Sequence, residues 1–345
     1  MNRQIGRNTL LFPNRPYVIG SGAIVAKAEG EGPLAADFDR IVGDDTFGED
    51  SFEKAECRLL TETVTLALER CRLSAENVQT MLGGDLLNQI ITANYAARTL
   101  GIPYLGLYGA CSTMSESLLL GSVLTDGGYR SLVACAASSH FSTAERQYRY
   151  PLEMGTTAPP TAQRTVTGAG CVLLSDAVPD GARYSHIRVT GATVGRVVDL
   201  GINDMTNMGA AMAPAACDTI LRHLSDTGRT PKDYDRIVTG DLGTFGSSLL
   251  WELCTREGTD IEAAHFDCGA EIYAEEQNYN CGGSGVGCSA VVLCGHLLPQ
   301  LERGSLRRIL FLATGALMST TSSQQGETIP GIAHAIVLEH DGGDV

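Results

Sequence analysis

The chain has 345 residues, 43% of them hydrophobic, and sets 25 basic against 40 acidic side chains for a formal net charge of −15. That length buries a sizeable core in one or two domains. The acidic balance argues against nucleic acid, whose phosphates demand a basic footprint, and against nonspecific adhesion to anionic lipid. No secretory signal pattern opens the sequence, and no apolar run nears the roughly 20 residues of a membrane helix. The expectation is a soluble, cytosolic-type chain that meets any membrane through protein partners. Eleven cysteines are scattered, mostly inside apolar segments, without a Cys-x-x-Cys or a histidine in metal-ligand spacing. Reduced, mostly buried thiols are expected, with no metal, no disulfide frame and no cofactor.

In chain order, Tyr17–Val25 reads as a strand, followed by a Gly-, Pro- and Asp-rich loop through Asp50. Between Glu53 and Arg72, Leu60, Val64, Ala67, Leu68 and Cys71 recur at helical spacing, which predicts an amphipathic helix. Val78–Leu82 is a strand and Thr92–Leu100 a short helix. Tyr104–Leu120 then reads as a short apolar strand, a turn of small residues, and a helix beginning at or just after Cys111. A thiol at that junction faces the orphan N–H groups and positive end of a helix. Cys111 is therefore a nucleophile, part of an anion-binding pocket, or a small buried filler. Arg130–Ala137 is a further strand, Ser138–Pro151 a polar loop carrying His140, Arg146 and Arg149, and Val166–Ser175 a strand.

The second half repeats the first. Ser74–Leu86 lies over Thr230–Leu242, both ending in Gly-Asp-Leu; Arg130–Ala136 matches Arg307–Ala313 in type; the strand around Cys171 matches Ile332–Leu338. Ala213–Leu224 supplies the counterpart of the first helix, and Cys281-Gly-Gly-Ser-Gly285, leading into Ser289–Leu298, the counterpart of the Cys111 turn. Pairs recurring in the same order indicate internal duplication. The expected fold is α/β, two βαβ-rich halves (1–182 and 183–345) layered α/β/α/β/α, with the two turns meeting near a pseudo-twofold axis.

A duplicated α/β chain with Gly109-Ala-Cys-Ser112 in one half and Gly282-Gly-Ser-Gly285 in the other resembles the thiolase superfamily, ketoacyl synthase III especially. Further motifs narrow the resemblance: Gly84-Asp-Leu-Leu-Asn-Gln89, Ser138-Ser-His140, Val194-Gly-Arg-Val197, Met212-Ala-Pro-Ala-Ala216, Ala313-Thr-Gly-Ala-Leu317 and Ile329–His334. Together, from about Pro33 to Leu338, they are similar to the stage V sporulation protein AD family of spore-forming bacteria. That resemblance implies binding of dipicolinic acid (pyridine-2,6-dicarboxylate), in company with calcium, and its movement into the developing spore. It also implies partners among the other SpoVA membrane proteins at the spore inner membrane and, by analogy with thiolase folds, a homodimer.

A thiolase-like enzyme needs the helix-end cysteine together with a His and an Asn, or a second His, from the second half. Gly240 stands nearest the expected His position and Gly283 nearest the Asn. The resemblance therefore leads to a binding protein without catalytic residues, with Cys111 at the nucleophile position. The expected ligand contacts are Cys111, Ser112, His140 and Arg146, with Asn88 next; the amides of Ser112 and Thr113 are candidates for one carboxylate. Arg149 ranks behind Arg146, and Asp85 and Asp241 read as turn or capping residues. Two alternatives remain: an acyltransferase using Cys111 with His140 or His334 as base, and a scaffold for protein partners alone.

Overall fold

The computed structural model describes residues 3–149, 154–155 and 157–342. Its framework is a mixed sheet of strands β1 (Tyr17–Val25), β2 (Thr80–Gly84), β3 (Tyr104–Gly106), β4 (Leu132–Ser139) and β5 (Gly168–Ser175) in the first half. The second half supplies β6 (Ile187–Thr193), β7 (Arg236–Thr239), β8 (His265–Asp267), β9 (Arg308–Ala316) and β10 (Gly331–His340). The order along the path is β8-β7-β9-β10-β6-β1-β5-β4-β2-β3. Counted outward from the middle, each half runs first, fifth, fourth, second, third strand. The pairing sense is the same too: two antiparallel pairs, then two parallel ones.

The halves join where β1 meets β6 over Val18↔Ile187 and Tyr17↔Arg188. Helix α1 (Phe52–Glu69) covers the outer face of the first half with α2 (Ile91–Leu100), and α5 (Met208–Thr227) covers that of the second with α6 (Gly243–Arg256). Between the two half-sheets runs α3 (Thr113–Asp126), packed on β4 and β2 on one side and on β10 and β9 on the other. Its counterpart α7 (Val286–Val292) lies against β5 and β4. This is the expected layered duplication, a thiolase-like α/β fold.

Period-two alternation sends each inner strand's side chains into two different cores. On β9, Ile309, Phe311 and Ala313 enter the central core while Leu310 and Leu312 enter the cluster under α5. On β4, Val133, Cys135 and Ala137 face inward while Leu132, Ala134 and Ala136 face α1. Strands covered on both faces read as continuous apolar runs, which is how the sequence shows them. Each fully buried Leu, Ile or Phe contributes about 1.5–3 kcal/mol. The duplicated entries to β2 and β7 are both short turns closed by a capping box, Ser74 with Asn77 and Thr230 with Asp233.

One element differs from expectation. Ser138 and Ser139 extend β4, and Phe141–Tyr148 is a helix, α4, rather than a polar loop. Its ends and one face are fixed by tertiary partners. The His140 ring accepts from Ser142 N–H at 3.1 Å, Thr143 Oγ1 donates to the buried Glu56 at 2.9 Å, and Ala144 is buried. Tyr150 and Pro151, the end of the expected loop, lie outside the described residues. Among the described residues no helix is long and apolar enough to cross a membrane.

Candidate functional site

The Cys111 turn forms because β3 ends at the edge of the sheet and α3 must start beneath it, between the halves. The reversal is tight: Ala110 sits at φ 51°, a left-handed conformation costly for a residue with a Cβ, and Gly109 O accepts from both Ser112 N (3.1 Å) and Ser112 Oγ (2.7 Å). From the far half, β9 presses on this turn. A Cβ on Gly315 would stand 2.7 Å from Gly109 O and 3.1 Å from Ser112 N, so only glycine permits the approach.

Cys111 opens into a cavity of ≈ 400 Å³. Its walls come from both halves: Asn88, Tyr108 and Tyr148 from the first, Met208, Met212 and Met318 from the second, with Arg149 at the C-terminal end of α4 as its cation. The tyrosines meet at the rim, with Tyr108 Oη 3.3 Å from Tyr148 Oη and 3.4 Å from the Asn88 side-chain oxygen. Arg149 donates to the Glu145 carboxylate and, at 3.3 Å, to Gln163 O.

The group beside the thiol is Asp241. It lies close enough to act on the thiol's titration, and its oxygens accept from Thr314 Oγ1 at 2.7 Å and from the Gly285 amide, in the second glycine turn, at 2.9 Å. The two turns thus meet through one carboxylate. Burial pushes the Asp241 pKa up to about 7 against the pull of these donors, with the neighbouring Asp267 adding to the rise. Burial likewise pushes the Cys111 thiol well above its ordinary value; Asp241 adds to that shift, while the Gly285 amide and Arg149 oppose it. The result is a protonated thiol, the reverse of an activated nucleophile.

The positions expected to carry a thiolase-type His and Asn are glycines packed tightly against their neighbours. A Cβ at Gly240 would lie 3.0 Å from Ala313 Cα and 3.1 Å from Thr314 N; at Gly283 it would lie 2.6 Å from Ile272 Cγ2. The alternative bases are engaged elsewhere. His140 Nε2 bonds Asp45 O at 2.8 Å, and His334 Nδ1 accepts from Gly195 N at 3.2 Å; burial lowers both pKa values.

Of the five expected contacts, the structure brings Cys111 and Asn88 to the cavity. Ser112 is fully buried, its hydroxyl and amide turned onto Gly109 O, and the Thr113 amide bonds Ala110 O; both amides are spent inside the turn. His140 is buried and caps α4, while Arg146 points to solvent in an ion pair with Glu53; neither lines the cavity. Arg149, three residues on, takes the place expected of Arg146. The sequence ranks Arg149 only behind Arg146 and Asp241 only as a turn or cap, and it does not single out the methionines. The Glu145/Arg149 spacing and the one-face pair Met208/Met212 were the available signals.

Among the eleven cysteines, all free, only Cys57 and Cys111 are not fully buried. The described residues hold no group of three or more His, Cys, Asp or Glu placed to bind a metal.

The family model for stage V sporulation protein AD matches residues 6–339. The chain belongs to that family. Stage V sporulation protein AD of Bacillus subtilis (strain 168) is 45% identical over 338 residues, covering 98% of each chain. At the level of fold, the structure resembles OleA of Xanthomonas campestris bound with cerulenin, at TM-score 0.62 and 16% identity over 95% of this chain and 97% of that one. It also resembles 3-oxoacyl-(acyl-carrier-protein) synthase III of Aquifex aeolicus, at TM-score 0.53 and 12% identity over 94% and 100%. The chain is thus a sporulation protein of thiolase-like fold.

Proposed function

We propose that the Cys111 cavity binds dipicolinic acid, and that the protein serves uptake of this acid into the developing spore without catalysing a reaction on it. The observation that carries the reading is the Cys111–Asp241 pair. No His stands beside the sulfur to draw its proton off; burial keeps the proton there, and the nearby Asp241 carboxylate adds to that effect. What is left is a slot with flat and flexible apolar walls, Tyr108, Tyr148 and the methionines, and the cation Arg149. Such a slot suits a planar ring acid. Asn88 supplies an amide at the rim.

Titration calorimetry with dipicolinate, with and without calcium, tests the proposal. Arg149→Ala is expected to weaken binding at least about tenfold, the scale of a hydrogen bond to a charged group. Binding equal to the wild type in that variant, or no binding to the wild type, removes this ligand from the cavity. A second reading, acyl transfer through Cys111, draws on the strained turn at Ala110. Incubation with an acyl-CoA and intact-mass measurement decides it, because a stable adduct on Cys111 displaces the binding-only reading. We further propose a homodimer formed along the β3 edge, where Leu105 and Tyr108 are exposed, and docking onto the other SpoVA membrane proteins at the spore inner membrane.

A further inference from the structure

Beside the main cavity lies a second one of ≈ 200 Å³, sharing Arg149 with it. Arg164 lines this smaller pocket from the short strand Arg164–Thr165, which is fixed in parallel register against Gly283–Ser284. Its guanidinium lies against two rings, 3.9 Å from the Phe141 centroid and 4.7 Å from that of Tyr279. Among the described residues it has neither a hydrogen-bond acceptor nor a carboxylate partner, and its Nε is buried with nothing to donate to. Other partly buried arginines of this acidic chain are matched: Arg183 by Asp39, Arg188 by Asp341, Arg229 and Arg308 by Glu339.

The pocket's lining sets two guanidiniums against one carboxylate, Glu145, which is already held by Arg149. Glu29 lies behind, within the field of Arg164 but without a contact to it, and burial raises its pKa toward the neutral form. Leaving the Nε–H dry and unpaired is costly. The two rings offer cation–π contact but no acceptor for the N–H groups, and the N–H edge of a guanidinium is a fork matched to a carboxylate. Ala158, Pro159 and Ala162 supply an apolar wall, and the volume is half that of the main cavity.

We propose that this pocket is a second binding site, for the carboxylate of a small organic acid, with Arg164 as the group that recognises it. The site stands whether or not the main cavity holds dipicolinate. The test is calorimetric titration of the full chain with benzoate, dipicolinate and inorganic phosphate, in the wild type, Arg164→Gln and Arg164→Lys. An Arg164-dependent carboxylate site is expected, weakened at least about tenfold in Arg164→Gln and less in Arg164→Lys. If no carboxylate shows that dependence, the proposal fails; if phosphate outcompetes both acids there, the assignment to a carboxylate fails. A measurement on the unaltered protein guards against misfolded variants. Phenylglyoxal labelling followed by peptide mass mapping is expected to modify Arg164, with protection by benzoate, and equal labelling with and without benzoate overturns the site. Asp241→Asn perturbs the Cys111 cavity and is expected to leave the Arg164-dependent binding in place, so the two readings fail separately.

Discussion

Asp85 and Asp241 occupy the same place in the two halves, each following a glycine at the end of the half's second strand, yet they do different work. Asp85 spends both oxygens on backbone, accepting from Leu87 N at 2.7 Å and Ala93 N at 2.8 Å, and so ties the loop to the start of α2. In the second half that task belongs to Asp267. It accepts from Leu242 N at 2.9 Å, Gly243 N at 2.8 Å and Ala270 N at 2.8 Å, while Thr239 Oγ1 donates at 2.6 Å. By strand register the first-half equivalent of Asp267 is Gly106: Gly83 pairs with Gly106 as Thr239 pairs with Asp267. One side chain added to the edge strand of one half frees the neighbouring carboxylate from that cap, and Asp241 accepts instead from Thr314 and the Gly285 amide, near the thiol. Duplication supplies the frame, and a single relocated cap supplies the asymmetry that makes a site.

The largest effect is expected of Asp267→Gly, which makes the second half resemble the first. Three backbone donors and a hydroxyl lose their acceptor, so a loss of about 3 kcal/mol or more is expected in denaturant unfolding. Gly240→His, the substitution that would restore an enzyme-like residue, is next. Its Cβ has no space against Ala313 and Thr314, and about 1–3 kcal/mol of destabilisation without acyl transfer is expected.

Asp241→Asn and Asp85→Asn, run side by side, separate electrostatics from capping. The Asp241 pKa stands at about 7, above its ordinary value, so its contribution to stability is fully present below about pH 4 and is lost as pH rises through 7. Relative to Asp241→Asn, the wild type is therefore expected to lose stability, on the order of a few kcal/mol, between pH 5 and pH 8. Removing the carboxylate also lowers the thiol pKa, so Cys111 is expected to alkylate several-fold faster with iodoacetamide by peptide mapping. Asp85→Asn is expected to cost about 1–3 kcal/mol through its buried amides and to leave Cys111 reactivity unchanged. The smallest effect belongs to Arg146→Ala, within about 0.5 kcal/mol in stability and without change in dipicolinate affinity, because its ion pair with Glu53 is exposed.

The framework was legible because both halves carry their own period-two and helical patterns, and because the matching Ser74–Leu86 and Thr230–Leu242 segments preserve even the capping box. Helix α4 was not, since it is held by distant partners, Glu56 for Thr143 and Asp45 for His140, which no local window contains. The same holds for the site. Gly-Asp-Leu reads as a cap in both halves, and only the fold reveals that Asp267 has taken the role from Asp241. Arg146 and Arg149 differ by less than a helical turn. Their fates separate because Glu53 faces one and the Gln163 carbonyl the other.

The position of α3 between the two half-sheets has a consequence for how the protein is made. Cys111 leaves the ribosome with its own half, but the carboxylate, the glycine amide and the strand that press upon it belong to the half synthesised afterwards. The site is therefore assembled last, from contacts distant in sequence, and folding of the two halves is tied to one event. A product ending after Ser175 carries the thiol turn with one face of α3 uncovered, so premature termination yields a sticky intermediate rather than a weaker binder.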